Sequence, residues 1–175
     1  MADFTNALAV LRQAMENERN GYRFFLEAEE RTLDPRGKGT FRNLAKDEEK
    51  HLRLLLVEHQ ALSAGDGWVE TEEALGREIE VDITKPLFPG ERLEPKAMAE
   101  FPWPAPEAAA QEANQLEADL AALKFGMDIE SRFYDMYKKA AAEEDNPLGR
   151  QAYEFLMKEE NRHFTLLQEA HEYLA

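Results

Sequence analysis

The chain has 175 residues and a net charge of -15, long enough for one well-packed domain and too short for two comfortable ones. The acidic balance argues against nucleic acid and anionic membrane as partners, since both require a basic face. There is no cysteine, so disulfides, zinc-thiolate sites, iron-sulfur clusters and a thiol nucleophile are excluded, and any redox chemistry has to come from a bound metal or cofactor.

The opening residues, Met1-Ala2-Asp3-Phe4, carry neither a basic n-region nor an apolar h-region. No apolar run approaches the ~20 residues that span a bilayer. A soluble, cytoplasmic protein with no membrane contact is expected. Apolar side chains then follow at Phe4, Leu8, Leu11, Met15, Tyr22 and Phe25, in steps of four and three that mark the seam of an amphipathic helix in a bundle. Glu18 fills the one gap in that seam, where a charge is costly unless paired or coordinated. The helix is expected from about Asp3, a good N-cap, to about Thr32, ahead of Asp34-Pro35.

Asp34 caps a second helix with Pro35 at its first position. Its seam reads Phe41, Leu44, Glu48, His51, Leu55, Glu58, Leu62, so ligand-type residues again occupy core positions. The short break makes the two helices antiparallel neighbours.

Residues 64 to 106 differ in character, with six prolines and four glycines between Gly65 and Pro106. They read as a long crossover, with an extended piece around Ile79 to Thr84 and a turn of helix near Lys96 to Phe101. Gly65-Asp66-Gly67 is a helix stop and lacks the third glycine of a dinucleotide loop. Trp68, Leu87, Phe88, Phe101 and Trp103 are expected to pin the crossover to the bundle.

A third helix is expected from about Glu107 to Glu143, with the seam Leu116, Leu120, Leu123, Met127, Glu130, Tyr134, Tyr137, Ala141. Asn146-Pro147 repeats the cap-plus-proline start. The fourth helix runs to about Tyr173 with the seam Tyr153, Leu156, Glu160, His163, Leu167, Ala170, Leu174.

The two halves repeat. Asp47-Glu48-Glu49-Lys50-His51 recurs 112 residues later as Glu159-Glu160-Asn161-Arg162-His163, and the same offset superposes Met15 on Met127, Glu18 on Glu130, Tyr22 on Tyr134, Pro35 on Pro147 and His59 on His171. No gap is needed between residues 4 and 63. The expected fold is all-α: an antiparallel four-helix bundle of two repeated hairpins, 3–63 and 107–175, joined by the crossover 64–106 within a single domain, 1–175.

A pseudo-twofold axis between the hairpins would set Glu18 and Glu130 opposite the two Glu-x-x-His pairs at mid-bundle. Four carboxylates in an apolar interior cannot all stay ionised without cations. Two divalent metals would cancel their charge, and oxygen and imidazole donors suit iron or manganese, with zinc possible.

This ligand plan resembles the rubrerythrin branch of the ferritin-like superfamily, and the handful of motifs that carry it span all four helices. The resemblance implies a di-iron centre in which Glu18 and Glu130 are terminal carboxylates, Glu48 and Glu160 bridge, and His51 and His163 each bind one metal. It implies reduction of peroxide or dioxygen by a non-haem oxidoreductase, and a homodimer. Three features depart from the family pattern: Phe133 stands where rubrerythrins carry an extra glutamate, the rubredoxin-type cysteines are absent, and Phe25 stands where Tyr137 keeps a hydroxyl in the second half. Without the rubredoxin-type iron, electrons would come from a separate donor protein.

Metal-bound histidines usually donate their other N–H to a carboxylate. Asp47 is expected on His163 and Glu159 on His51, with Tyr22 and Tyr134 one turn from the terminal glutamates as packing residues or hydrogen-bond donors. His59 and His171, in the last turns of their helices, read as cations that offset the helix dipole, and Glu58 reads as a solvent-facing residue at a helix end. Two other function classes share these residues: a ferroxidase or iron-handling protein with Fe(II) as substrate, and a di-manganese catalase-like enzyme or an oxygenase. An apolar channel would favour oxygenation, whereas an acidic access path would favour iron traffic.

Overall fold

A computed structural model describes residues 4–83, 85–88, 101–103 and 112–175. The described secondary structure is all helical, as expected: α1 (Thr5–Arg31), α2 (Pro35–Ala64), α3 (Thr71–Gly76), α4 (Glu112–Glu143) and α5 (Pro147–Leu174). The expected cap at Asp3 and the start of the third helix before residue 112 lie outside the described residues, as do Lys96 to Glu100 and Thr84. In place of a side-chain cap, α1 follows Phe4, which makes no capping hydrogen bond.

Proline and a short acceptor start both repeats. Asp34 Oδ1 accepts from the Arg36 and Gly37 amides at 2.9 and 2.8 Å, and Asn146 Oδ1 accepts from Leu148 and Gly149 at 2.9 and 3.5 Å. Each cap satisfies amides that a helix start leaves without partners. α2 ends at Gly65, whose φ of 84° only glycine adopts readily.

Helix α1 packs along α2, and α4 along α5. Both pairs run antiparallel. Arg12 reaches His59 and Arg42 reaches Glu29 across the first pair, while Gly126 abuts Leu167 and Tyr137 stacks on Tyr153 across the second. The interior between the pairs is sealed by fully buried Leu11, Met15, Phe25, Phe41, Leu44, Leu123, Leu156 and Leu167. Near its start α4 also grips the α1–α2 turn. Gln115 donates to the Arg31 carbonyl at 3.1 Å, and buried Asp119 accepts from the Leu33 and Asp34 amides.

The crossover is anchored by its aromatics, as its composition predicts. Trp68 and Phe101 are buried, and Leu87, Phe88 and Trp103 pack on the core. The piece expected to be extended runs from Ile79 to Ile83 without helix and joins no sheet among the described residues, since a lone extended segment has no neighbour to pair with. The short α3 instead forms just upstream, with Ala74 buried. Leu116, read as a seam residue, is 43 % exposed.

Two further readings are corrected. Glu58 is fully buried and accepts the Val69 amide at 2.9 Å, so it ties the crossover to α2 and does not face solvent. His59 is buried against Phe88 and accepts from Arg12 Nε at 3.2 Å. Burial and the adjacent Arg12 charge lower its pKa, which makes it a neutral packing residue and not a helix-end cation.

Candidate metal centre

The seam glutamates and histidines meet where the two helix pairs face each other. Glu18 comes from α1, Glu48 and His51 from α2, Glu130 from α4, and Glu160 and His163 from α5. All six are buried. Spacing of three residues sets each Glu-x-x-His pair on one helical face.

His51 Nδ1 lies 3.3 Å from Glu18, 3.3 Å from Glu160 and 3.8 Å from Glu48. His163 Nδ1 lies 3.2 Å from Glu48, 3.4 Å from Glu160 and 3.6 Å from Glu130. Each imidazole thus addresses the same two glutamates, Glu48 and Glu160, plus the single glutamate of its own half. The rings stack at 5.3 Å with 18° between their planes.

Few donors serve these acceptors. Both carboxylate oxygens of Glu48, Glu130 and Glu160, and Nδ1 of His163, are buried without a hydrogen-bond partner among the described residues. Glu18 is the exception, accepting from the Tyr137 hydroxyl. Unpartnered buried acceptors are costly. A cation at their centre removes that cost, and ligand atoms of Glu48, His51, Glu160 and His163 all lie within 4.8 Å of one another.

Electrostatics point the same way. Burial and the charges of neighbouring glutamates push Glu48 well above the usual carboxylate range and Glu160 up to about 8, and burial with the Glu48 charge raises Glu130. Burial opposes ionised Glu18 too, but Glu48, His51 and Tyr137 outweigh it and hold that carboxyl low. Burial also works against charge on the imidazoles, yet the surrounding carboxylates drive both of them up. Positive charge is what this cluster takes up, as protons or as metal. Oxygen and imidazole donors without thiolate suit iron or manganese, and zinc is accommodated.

Behind the cluster, Asp47 Oδ2 lies 3.5 Å from His163 Nε2. That contact, then Lys50 and Arg162, holds Asp47 far below the ordinary aspartate value against the effect of burial. The mirror pairing is not formed: Glu159 accepts from Arg162 at 2.8 Å and makes no described hydrogen bond to His51. Arg162 also bonds Asp47 at 2.7 Å. Its counterpart in the first half is Lys50, which lacks the fork that spans two carboxylates. Tyr22 and Tyr134 are half-buried and make no hydrogen bond to Glu18 or Glu130 among the described residues; burial raises the Tyr22 pKa, and Tyr134 lies under Lys138. Tyr137, one turn further on, is the phenol that reaches a glutamate. Its signal in the sequence is the hydroxyl that Phe25 lacks.

Three cavities approach the cluster. One of about 300 Å³ is lined by Asn17, Asn20, Gly21, Phe125 and Phe133; a Cβ on Gly21 would lie 3.6 Å from the Glu48 carboxyl, so the missing side chain leaves Glu48 close to the cavity floor. A second, of about 370 Å³, is edged by Asp47, His51, Arg53, Glu159 and Arg162. A third, of about 190 Å³, reaches Glu130 and Glu160 between α4 and α5.

A helical bundle whose interior gathers buried glutamates and histidines able to hold a metal is the class that fold and site define. Residues 2–58 match the rubrerythrin family model. The match covers most of the first helix pair, which carries Glu18, Asp47, Glu48 and His51, and the same residue types stand 112 positions further on at Glu130, Glu159, Glu160 and His163. No curated protein and no solved structure matches the chain. Among the described residues no helix is long and apolar enough to cross a membrane.

Proposed function

We propose that the chain is a di-iron oxidoreductase that reduces peroxide or dioxygen with electrons from a separate donor protein, acting in the cytoplasm. The observation that carries this reading is the set of seven buried acceptor atoms on Glu48, Glu130, Glu160 and His163 that meet without donors. Glu18 and Glu130 would each hold one iron, Glu48 and Glu160 both, and His51 and His163 one apiece through Nδ1. Two bound irons supply two electrons and two Lewis-acid positions for an O–O bond.

The chain's own residues do the rest. Asp47 and Arg162 both reach the outer Nε2 of His163, at 3.5 and 3.3 Å, and so hold the ring with Nδ1 inward. Tyr137 donates to Glu18 and holds one of its oxygens away from the centre. The absence of a side chain at Gly21 lets Phe133 and the Glu48 carboxyl close in on its backbone, so only the thickness of that contact separates Glu48 from the cavity lined by Asn17, Asn20 and Phe125.

The wall of that cavity favours a small neutral oxidant over iron traffic, because Asn17, Asn20, Phe125 and Phe133 carry no acid. The separate opening over His51 carries Asp47 and Glu159 but also Lys50, Arg53 and Arg162, and its two acids are paired with Lys50 and Arg162, so it offers no free acidic path for Fe(II) either. Anaerobic Fe(II) loading followed by rapid mixing, in parallel, with hydrogen peroxide and with dioxygen separates these readings. Faster oxidation by peroxide at two irons per chain supports the peroxide reductase. Faster reaction with dioxygen and iron turning over beyond two per chain supports the ferroxidase. Binding of manganese in preference to iron supports the di-manganese alternative.

A further inference from the structure

Two of the cluster glutamates lie against an opening in the side of one hairpin. The cavity of about 190 Å³ between α4 and α5 is lined by Glu130 and Glu160 together with Ser131, Tyr134, Asn161 and Phe164. Both glutamates are fully buried, and none of their four carboxylate oxygens has a hydrogen-bond partner among the described residues. Bare carboxylates at the end of an opening draw a cation.

The repeat shows what this opening depends on. The 112-residue offset sets Arg19 on Ser131 and Leu52 on Phe164. Arg19 is 4 % exposed and Leu52 0 %, so in the first half these side chains fill the corresponding space. The crossover also lies over that face of α1: Arg23, one turn beyond Arg19, donates to the Ile83 carbonyl at 2.6 Å. In the second half Ser131 and Asp135, which take the places of Arg19 and Arg23, are exposed.

Charge separates the halves as well as bulk. A guanidinium beside Glu18 repels an approaching cation. Its replacement by Ser131 removes that charge, and the oxygens of Ser131, Tyr134 and Asn161 are neutral donors that can stand in for water around a divalent ion. Lys138 lies against the Tyr134 ring at 5.8 Å and does not line the cavity. A neutral oxidant would not distinguish arginine from serine by charge.

We propose that the opening between α4 and α5 is the port through which divalent metal ions reach the centre, with Glu130 and Glu160 the first carboxylates to take them and Ser131 the residue that keeps the path open. The inference rests on the metal-binding part of the reading above. Behind the port, His163 Nδ1 lies 3.6 Å from Glu130 and 3.4 Å from Glu160. Glu160 lies 3.3 Å from His51 as well, so the carboxylate at the port serves both metal positions. In the first half Arg19 closes the corresponding path.

The test follows Co(II) uptake by the full-length, metal-free protein in stopped flow, reading the visible absorbance of bound cobalt. Ser131→Arg restores the residue of the first half and is expected to slow uptake by about tenfold or more, with the final stoichiometry kept at two per chain. Ser131→Cys supplies the single thiol of a cysteine-free chain and allows the same change after folding. Capping it with an aminoethyl disulfide group is expected to slow uptake, relative to a methyl cap, to a similar extent. Uptake at the methyl-capped rate in the aminoethyl-capped protein, or a kept rate with a fallen stoichiometry, overturns the port. Failure of the metal reading is seen separately, as a parent protein that binds no cobalt, and it removes the port with it.

Discussion

His51 and His163 stack ring on ring at 5.3 Å, and their Nδ1 atoms address one shared pair of carboxylates, Glu48 and Glu160. Sharing makes those two glutamates unlike the other two. Each belongs to both imidazoles, whereas Glu18 serves His51 and Glu130 serves His163.

Removing a shared carboxylate therefore affects both metal positions. Glu160→Gln is expected to drop iron binding from two per chain to below one, while Glu130→Gln leaves close to one. Without metal the order of stability reverses. Glu160→Gln relieves a buried, mutually repelling acid, and its metal-free form is expected to be more stable than the metal-free parent at pH 8 by about 1–3 kcal/mol. Denaturation by urea in the presence of a chelator measures this.

Asp47→Asn removes the carboxylate behind His163. Loss of such an outer partner typically costs about 10–100-fold in metal affinity. Glu159→Gln is expected to cost less, because Glu159 is engaged by Arg162 and not by His51. Competition against a calibrated chelator ranks the two, and equal losses would restore the symmetric pairing.

Glu58 has a pH signature of its own. Burial raises it from the ordinary 4.5 to about 7, partly offset by the Val69 amide. Between those values the folded state keeps a proton that the unfolded state has lost, so the folded state binds more protons and stability falls as pH rises from about 4.5 through about 7. The loss is at most about 3 kcal/mol. Glu58→Gln keeps an acceptor for Val69 and is expected to remove this part of the slope, read as the difference in urea midpoint between the two proteins at pH 5 and pH 8.

Two glycines predict opposite signs. A Cβ on Gly149 would run into the Trp68 ring, so Gly149→Ala has to displace the tryptophan and is expected to cost about 1–3 kcal/mol. Gly39 meets nothing within 4 Å, and Gly39→Ala is expected to gain up to about 1 kcal/mol from helix propensity. Thermal midpoints separate them, with Trp68 fluorescence reporting the displacement in the first.

Much of this architecture was legible because burial in a bundle writes itself into spacing. Glu18 breaking the apolar seam, and the Asp34-Pro35 and Asn146-Pro147 starts, locate helices and depth without tertiary information. The rest depends on neighbours that spacing does not reveal. Glu58 sits on the same seam as Glu48, and it is covered because the chain after Gly65 folds back to present Val69. His59 is pushed below the ordinary imidazole value by burial and by Arg12, 47 residues earlier, which lies against it. The Glu159 pairing expected by symmetry gives way to Arg162, since a single change from Lys50 to arginine at the repeated position lets one guanidinium hold both outer acids. Spacing favours Tyr134, which is nearer in sequence to Glu130, over Tyr137, because it does not reveal that the Tyr137 phenol reaches across to Glu18 and not back to its own helix.

A pair of metals held by shared glutamates is read out by loading the protein with iron, oxidising it, and recording stoichiometry together with the Mössbauer spectrum in an applied field. Two irons per chain in an exchange-coupled, diamagnetic diferric ground state is the predicted result, reduced to uncoupled or absent iron in Glu160→Gln. One iron per chain, or two that are magnetically isolated in the parent protein, would contradict it.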